Sequence, residues 1–95
     1  MERPVIALYW FLERDWDWVQ DTFEEPEVAG KSYQDWYRQA NIAARWLTAS
    51  GYHIRRIPID PRRFPKWCRA HGHAITLDAA IRFAQTSKEF VIHHG

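Results

Sequence analysis

Cys68, His71 and His73 stand in a Cys-x-x-His-x-His spacing, and with His53 they supply four side chains of types that bind zinc. The same cysteine beside His71 is also the minimum that a thiol nucleophile and its base require. The rest of the chain adds little to either reading. A structural zinc site shows two separated ligand pairs, whereas this chain has one cysteine. No acid lies close in sequence to orient the histidine, and the scattered glycines form no phosphate loop. Asp15 and Asp17 sit two apart, which on a helix turns them to different faces rather than into a carboxylate pair. Cys68 falls on an apolar helix face, where a lone cysteine is a small core residue. The expectation is no catalytic residue, no metal and no cofactor. An enzyme or metal site centred on Cys68, His71 and His73 is the second alternative.

Two larger constellations carry more weight. Arg55, Arg56, Arg62, Arg63, Lys66 and Arg69 cluster in one segment with His53, His71 and His73 beside them, opposed only by Asp60. Arginine with nearby aromatics is the composition that holds phosphates and stacks bases, so nucleic-acid binding through residues 55–73 is the first alternative. A helix-turn-helix around Gly72 does not fit. His73 to Ile75 intervene before the cap at Thr76, and Asp78 falls where such a motif needs an apolar side chain.

The other constellation runs from Trp10 to Glu27 and interleaves five aromatics with seven acids. Aromatics supply interface energy, and surrounding charge supplies orientation and encounter rate. Trp10, Asp15, Asp17, Trp18, Asp21, Glu24 and Glu25 are the candidate protein-interaction residues. The competing reading makes the tryptophans core and the acids the wet side of a helix.

These segments belong to a larger asymmetry. Residues 1–36 hold nine acids and three bases, net −6, and residues 37–95 hold ten bases and three acids, net +7. The formal charge of +1 thus hides two poles. Ninety-five residues predict one domain spanning 1–95, with a thin core reinforced by six Trp, five Phe and four Tyr. One cysteine excludes an intramolecular disulfide and fits a reducing cytoplasm. The N-terminus lacks a signal-peptide pattern, and the chain reads as complete from its first Met. The longest apolar run, Val5 to Leu12, is far shorter than the roughly 20 residues a membrane span needs.

The elements that must position these residues follow from periodicity. Val5, Leu8, Leu12, Trp16, Val19 and Phe23 recur at steps of three and four, which predicts a first helix; Val5–Leu12 alone also reads as a buried strand. A loop over 24–31 leads to Ser32, which caps a helix over about 33–50 ended by Gly51. Its apolar stripe is Tyr33, Trp36, Tyr37, Ala40, Ala43, Ala44 and Leu47.

Tyr52 to Ile59 predicts a strand whose apolar parity switches, so a bulge is expected at Arg55-Arg56, and Pro58 makes it an edge. Its partner is Phe90–His93, Val5–Leu12 or a second copy. Asp60 and Pro61 open a short helix to His71 in which Pro65 requires a late start or a distorted first turn. Phe64, Trp67, Cys68 and His71 form its inner face, and Arg62, Lys66 and Arg69 the outer one. Thr76 caps a last helix with Leu77, Ala80, Ile81 and Ala84 inward.

The sum is a mainly helical α+β fold of three to four helices with one or two short strands. Its expected role is that of a small non-enzymatic interaction, accessory or regulatory module in the cytoplasm, without a membrane partner. It binds another protein or itself, as a dimer for example, through the acidic pole, the basic pole or both.

Overall fold

In the computed structural model, which describes residues 3–87, the chain opens with a strand, β1 (Val5–Trp10). A 3-10 turn (Glu13–Asp15) and a helix α1 (Trp16–Thr22) follow. The expected helix from Val5 to Phe23 is thus three separate elements. Every residue of β1 is apolar, and a continuous apolar run suits a strand covered on both faces. The three-and-four spacing across residues 5–23 arose from a strand, a turn and a helix laid end to end.

The remaining elements are α2 (Tyr33–Ala49), β2 (His53–Pro58), α3 (Arg63–His71) and α4 (Leu77–Gln85). β1 pairs with β2 in parallel, in unbroken register from Val5 opposite His53 to Trp10 opposite Pro58. Parallel strands need a long crossover, which residues 11–52 provide. The strand expected over 52–59 is therefore present, and its partner is Val5–Trp10. The Phe90–His93 alternative lies outside the described residues.

The unbroken register removes the expected bulge at Arg55-Arg56. Only Ile57 of β2 is buried; the opposite face carries the half-buried Ile54 and the exposed Arg56 and Pro58, so the apolar residues of this strand need not keep one parity. Ile57 is buried with Ala7 and with Ala84 of α4. On the opposite face, Trp10 meets Trp36 of α2, with ring centroids 5.2 Å apart.

A two-stranded sheet is marginal by itself, and an aromatic cluster supplies the missing burial. Phe11, immediately after β1, is fully buried. Its ring centroid lies 5.2 Å from Trp36, 5.3 Å from Phe23 and 6.1 Å from Trp16. The Tyr33 hydroxyl donates to the Phe11 carbonyl at 3.1 Å, tying α2 to the end of β1. The Trp16 indole N–H donates to Lys31 O at 3.0 Å, and Gln20 both donates to Val28 O and accepts from Gly30 N. Those three bonds fasten the 24–31 loop onto α1.

The helix signals act as read. Ser32 Oγ accepts from Asp35 N at 3.1 Å, and Thr76 Oγ1 accepts from Ala79 N at 3.1 Å. Asp60 accepts from the N–H groups of Arg62 and Arg63, and α3 begins at Arg63. This late start makes Pro65 the third helical residue, where no N–H partner is needed. Several inward assignments change: Tyr37 and Ala43 of the α2 stripe are exposed, and the two shorter helices shift as well. Ile81 is 42% exposed while Ala79 is buried in its place, and His71 is exposed rather than inward.

Replacing core and surface tryptophans separates their roles. Trp36→Ala, which opens a cavity among Trp10, Phe11 and Trp16, should lower the unfolding free energy by about 3–5 kcal/mol. Trp46→Ala, on the outer side of α2, should change it by less than about 0.5 kcal/mol. Urea denaturation of both variants is the check.

Candidate functional site

α2 is the longest element, 17 residues or about 25 Å, and the sheet and aromatic cluster occupy only one of its faces. Trp36 and Ala44 are its buried residues. Ile42 and Trp46, one turn apart, lie off that face and are 44% and 73% exposed. Arg38 and Arg45 flank them at helical spacing. Tyr37, 45% exposed, lies on the shoulder nearer the sheet, where its ring meets Trp10 edge-on at 5.9 Å. Tyr37, Arg38, Asn41, Ile42 and Arg45 line a shallow cleft of about 370 Å³.

β2 adds to this shoulder. The guanidinium of Arg56 lies 4.6 Å above the Trp10 ring, and its Nη2 donates to Asn41 Oδ1 at 3.3 Å. Ile42 and Trp46 thus stand beside Arg38 and Arg45 on the outer side of α2, while Arg56 lies on the shoulder nearer the sheet, against Trp10 and Asn41. Sequence reading placed Tyr37 on the core stripe and passed over Ile42 and Trp46. The available signal was their spacing: two large apolar residues at i and i+4, both outside the Tyr33–Trp36–Ala40–Leu47 stripe.

The candidate acidic residues divide by location. Trp10 is 7% exposed and capped by Arg56, so its ring belongs to the core and is not available as a surface anchor. Trp18 is half-buried, edge-on to Phe23 at 5.8 Å. The Glu25 carboxylate accepts from Leu77 N and so serves the N-terminus of α4. Asp15 is half-buried beside Arg14, 4.0 Å away. Asp17, Asp21 and Glu24 are exposed, and among the described residues none of them has an ion-pair partner. Burial, together with Glu27 and Glu25 nearby, pushes the Tyr9 phenol above its ordinary range.

The basic candidates do not form one patch. The register of β2 sends Arg55 and Arg56 to opposite faces of the sheet. Arg55 is half-buried opposite Ala7, its Nε without a hydrogen-bond partner among the described residues. Arg62 and Arg63 adjoin Asp60, whose carboxyl is held below its usual range chiefly by the Arg62 backbone N–H. Lys66 and Arg69 are exposed along α3. The ion pairs among the described residues are Arg14–Asp15, Arg38–Asp35 and Arg82–Asp78, each between near neighbours in sequence. None joins the acidic pole to the dense basic segment.

The Cys-x-x-His-x-His residues are drawn apart by packing. Cys68 is 1% exposed inside the core, and burial pushes its thiol up. His71 and His73 both stack on Trp67, with centroids 4.7 and 5.2 Å away, and His71 Nδ1 lies 2.9 Å from Trp67 O. Among the described residues no group of three or more His, Cys, Asp or Glu side chains is placed to hold a metal ion. No helix among them is long and apolar enough to cross a membrane. Comparison with protein-family models, with curated proteins and with solved structures gives no match.

Cys68 supplies a chemical check on this arrangement. The thiolate is the reactive form, and burial disfavours it in the folded chain. A disulfide reagent at pH 8 should therefore label Cys68 slowly in the native protein and rapidly in urea. The stabilisation from the buried neutral thiol is present below the ordinary thiol range. It is lost as pH rises toward the higher folded value.

Proposed function

We propose that this chain is a protein-binding module without catalysis, accessory or regulatory in role, and that the outer face of α2 is its principal contact surface. The observation that carries the reading is the 73% exposure of Trp46, with Ile42 one turn before it. Isolated exposed apolar residues are ordinary, but Trp, Tyr and Arg are the types that dominate interface energy. Removing roughly 150–200 Å² of tryptophan surface from water is worth about 4–5 kcal/mol before the cost of association is subtracted. Arg38 and Arg45 beside Ile42 and Trp46 favour a partner bearing carboxylates. The exposed Asp17 and Asp21 on α1, with the exposed Glu24 in the loop after it, form a second, acidic surface beside the half-buried Trp18.

Nucleic-acid binding is the alternative, favoured by the same exposed indole beside arginines, which together resemble a base-stacking platform. It is the weaker reading because the bases from Arg55 to Arg69 are spread over two sheet faces and α3, so no single track for a phosphate backbone results.

Affinity capture separates these readings. Immobilised wild-type chain should retain at least one protein from an extract of its own organism, and the Ile42→Ala/Trp46→Ala variant should lose it. A retained set unaffected by the two substitutions, or an empty one, contradicts the proposal. Retention of nucleic acid that collapses between about 50 and 200 mM salt supports the alternative.

A further inference from the structure

We infer that the α2 face pairs with a second copy of this chain, whose acidic α1 surface sits against Arg38, Arg45 and Trp46. The inference rests on the α2 reading and goes further by naming the occupant. Charge complementarity carries it. Arg45 has no carboxylate within ion-pair distance among the described residues, and Arg38 has only its helical neighbour Asp35, at 3.4 Å. Asp17 and Asp21, one turn apart on α1, are likewise exposed and unpaired. The two sets cannot be satisfying each other within one chain, since every ion pair among the described residues is local in sequence. A second copy brings the missing charges in equal number.

The apolar parts match as well. Trp18 adjoins Asp17 and is half-buried, so the acidic surface offers apolar area to the Trp46 indole. In such a contact the tryptophan gives the strength, and the exposed charges give register and partner choice. Pairing of α2 with α2 of another copy is disfavoured, because it sets Arg38 and Arg45 against their own kind. The pairing inferred is the closed form of this exchange, a two-fold dimer in which each copy's acidic surface meets the other's basic one in two equivalent contacts.

Sedimentation of the purified full chain over a range of concentrations at low salt tests this. Wild type should reach twice the chain mass, and the pairing should weaken as added salt shortens the screening length from about 10 Å at 0.1 M to about 3 Å at 1 M. Arg45→Glu and Asp17→Arg should each weaken pairing by about tenfold or more, while the double variant, with the charges exchanged, should recover to within about threefold of wild type. Circular dichroism checks that each variant folds. A wild-type monomer at every concentration overturns the inference, as does pairing indifferent to both swaps or a double variant that fails to recover. If wild type is a monomer yet still captures a partner through Ile42 and Trp46, the pairing falls and the α2 reading stands. If the Ile42/Trp46 variant changes neither assay, the α2 reading itself falls.

Discussion

Parallel pairing of β1 with β2 is the constraint on which the rest depends. Parallel neighbours cannot be joined by a tight turn, so residues 11–52 must travel from one end of the sheet back to the other. That journey is α1, the 24–31 loop and α2. A sheet of two strands has little stability alone, so both its faces must be covered. α4 covers one through Ala84 against Ala7 and Ile57, and α2 covers the other through Trp36 against Trp10. Phe11 lies at the junction, in ring contact with Trp16, Phe23 and Trp36. The tryptophans that make the sequence unusual are thus mostly the means by which a small chain stabilises a minimal sheet.

The same constraint creates the surface. The crossover helix must be long enough to return the chain along the sheet, and the core covers only one side of α2, where Trp36 and Ala44 are its buried residues. Its outer side carries Ile42 and Trp46 with Arg38 and Arg45, while α1 turns Asp17 and Asp21 outward. Among the described residues no ion pair joins the two charge sets. The two-pole layout of the sequence is thus only partly a matter of surfaces: Asp17, Asp21 and Glu24 are exposed, whereas Glu25 serves the start of α4 and the bases from Arg55 to Arg69 are spread over two sheet faces and α3.

Much of this was legible in the sequence. α2 and α4 were readable because Ser32, Thr76 and Gly51 are chemical boundary marks tied to backbone geometry. β2 was readable from its composition, although the expected bulge is absent because its ladder with β1 runs unbroken. β1 was readable only as the second reading of Val5–Leu12, because an all-apolar run of six has no period of its own and the stripe continuing to Phe23 imitated a helix. Trp10 changes meaning with it: off the stripe of an imagined helix, it looks exposed, whereas in a strand it points directly into α2. For the site, charge asymmetry was visible, but which tryptophan faces water depended on where the crossover helix meets the sheet. Arg55 and Arg56 show the same limit, since adjacency in sequence becomes opposition across a strand.

Under the proposed function, Trp46, the tryptophan most exposed to solvent and flanked by Arg38 and Arg45 on α2, is the anchor of association. Proton–nitrogen correlation spectra resolve the indole N–H of each of the six tryptophans. As chain concentration rises at low salt, the Trp46 signal should shift and broaden, while those of Trp10, Trp16 and Trp36, enclosed in the core, should hold still. A Trp46 signal that stays fixed across the concentration series, or moves no more than that of Trp36, would contradict the account.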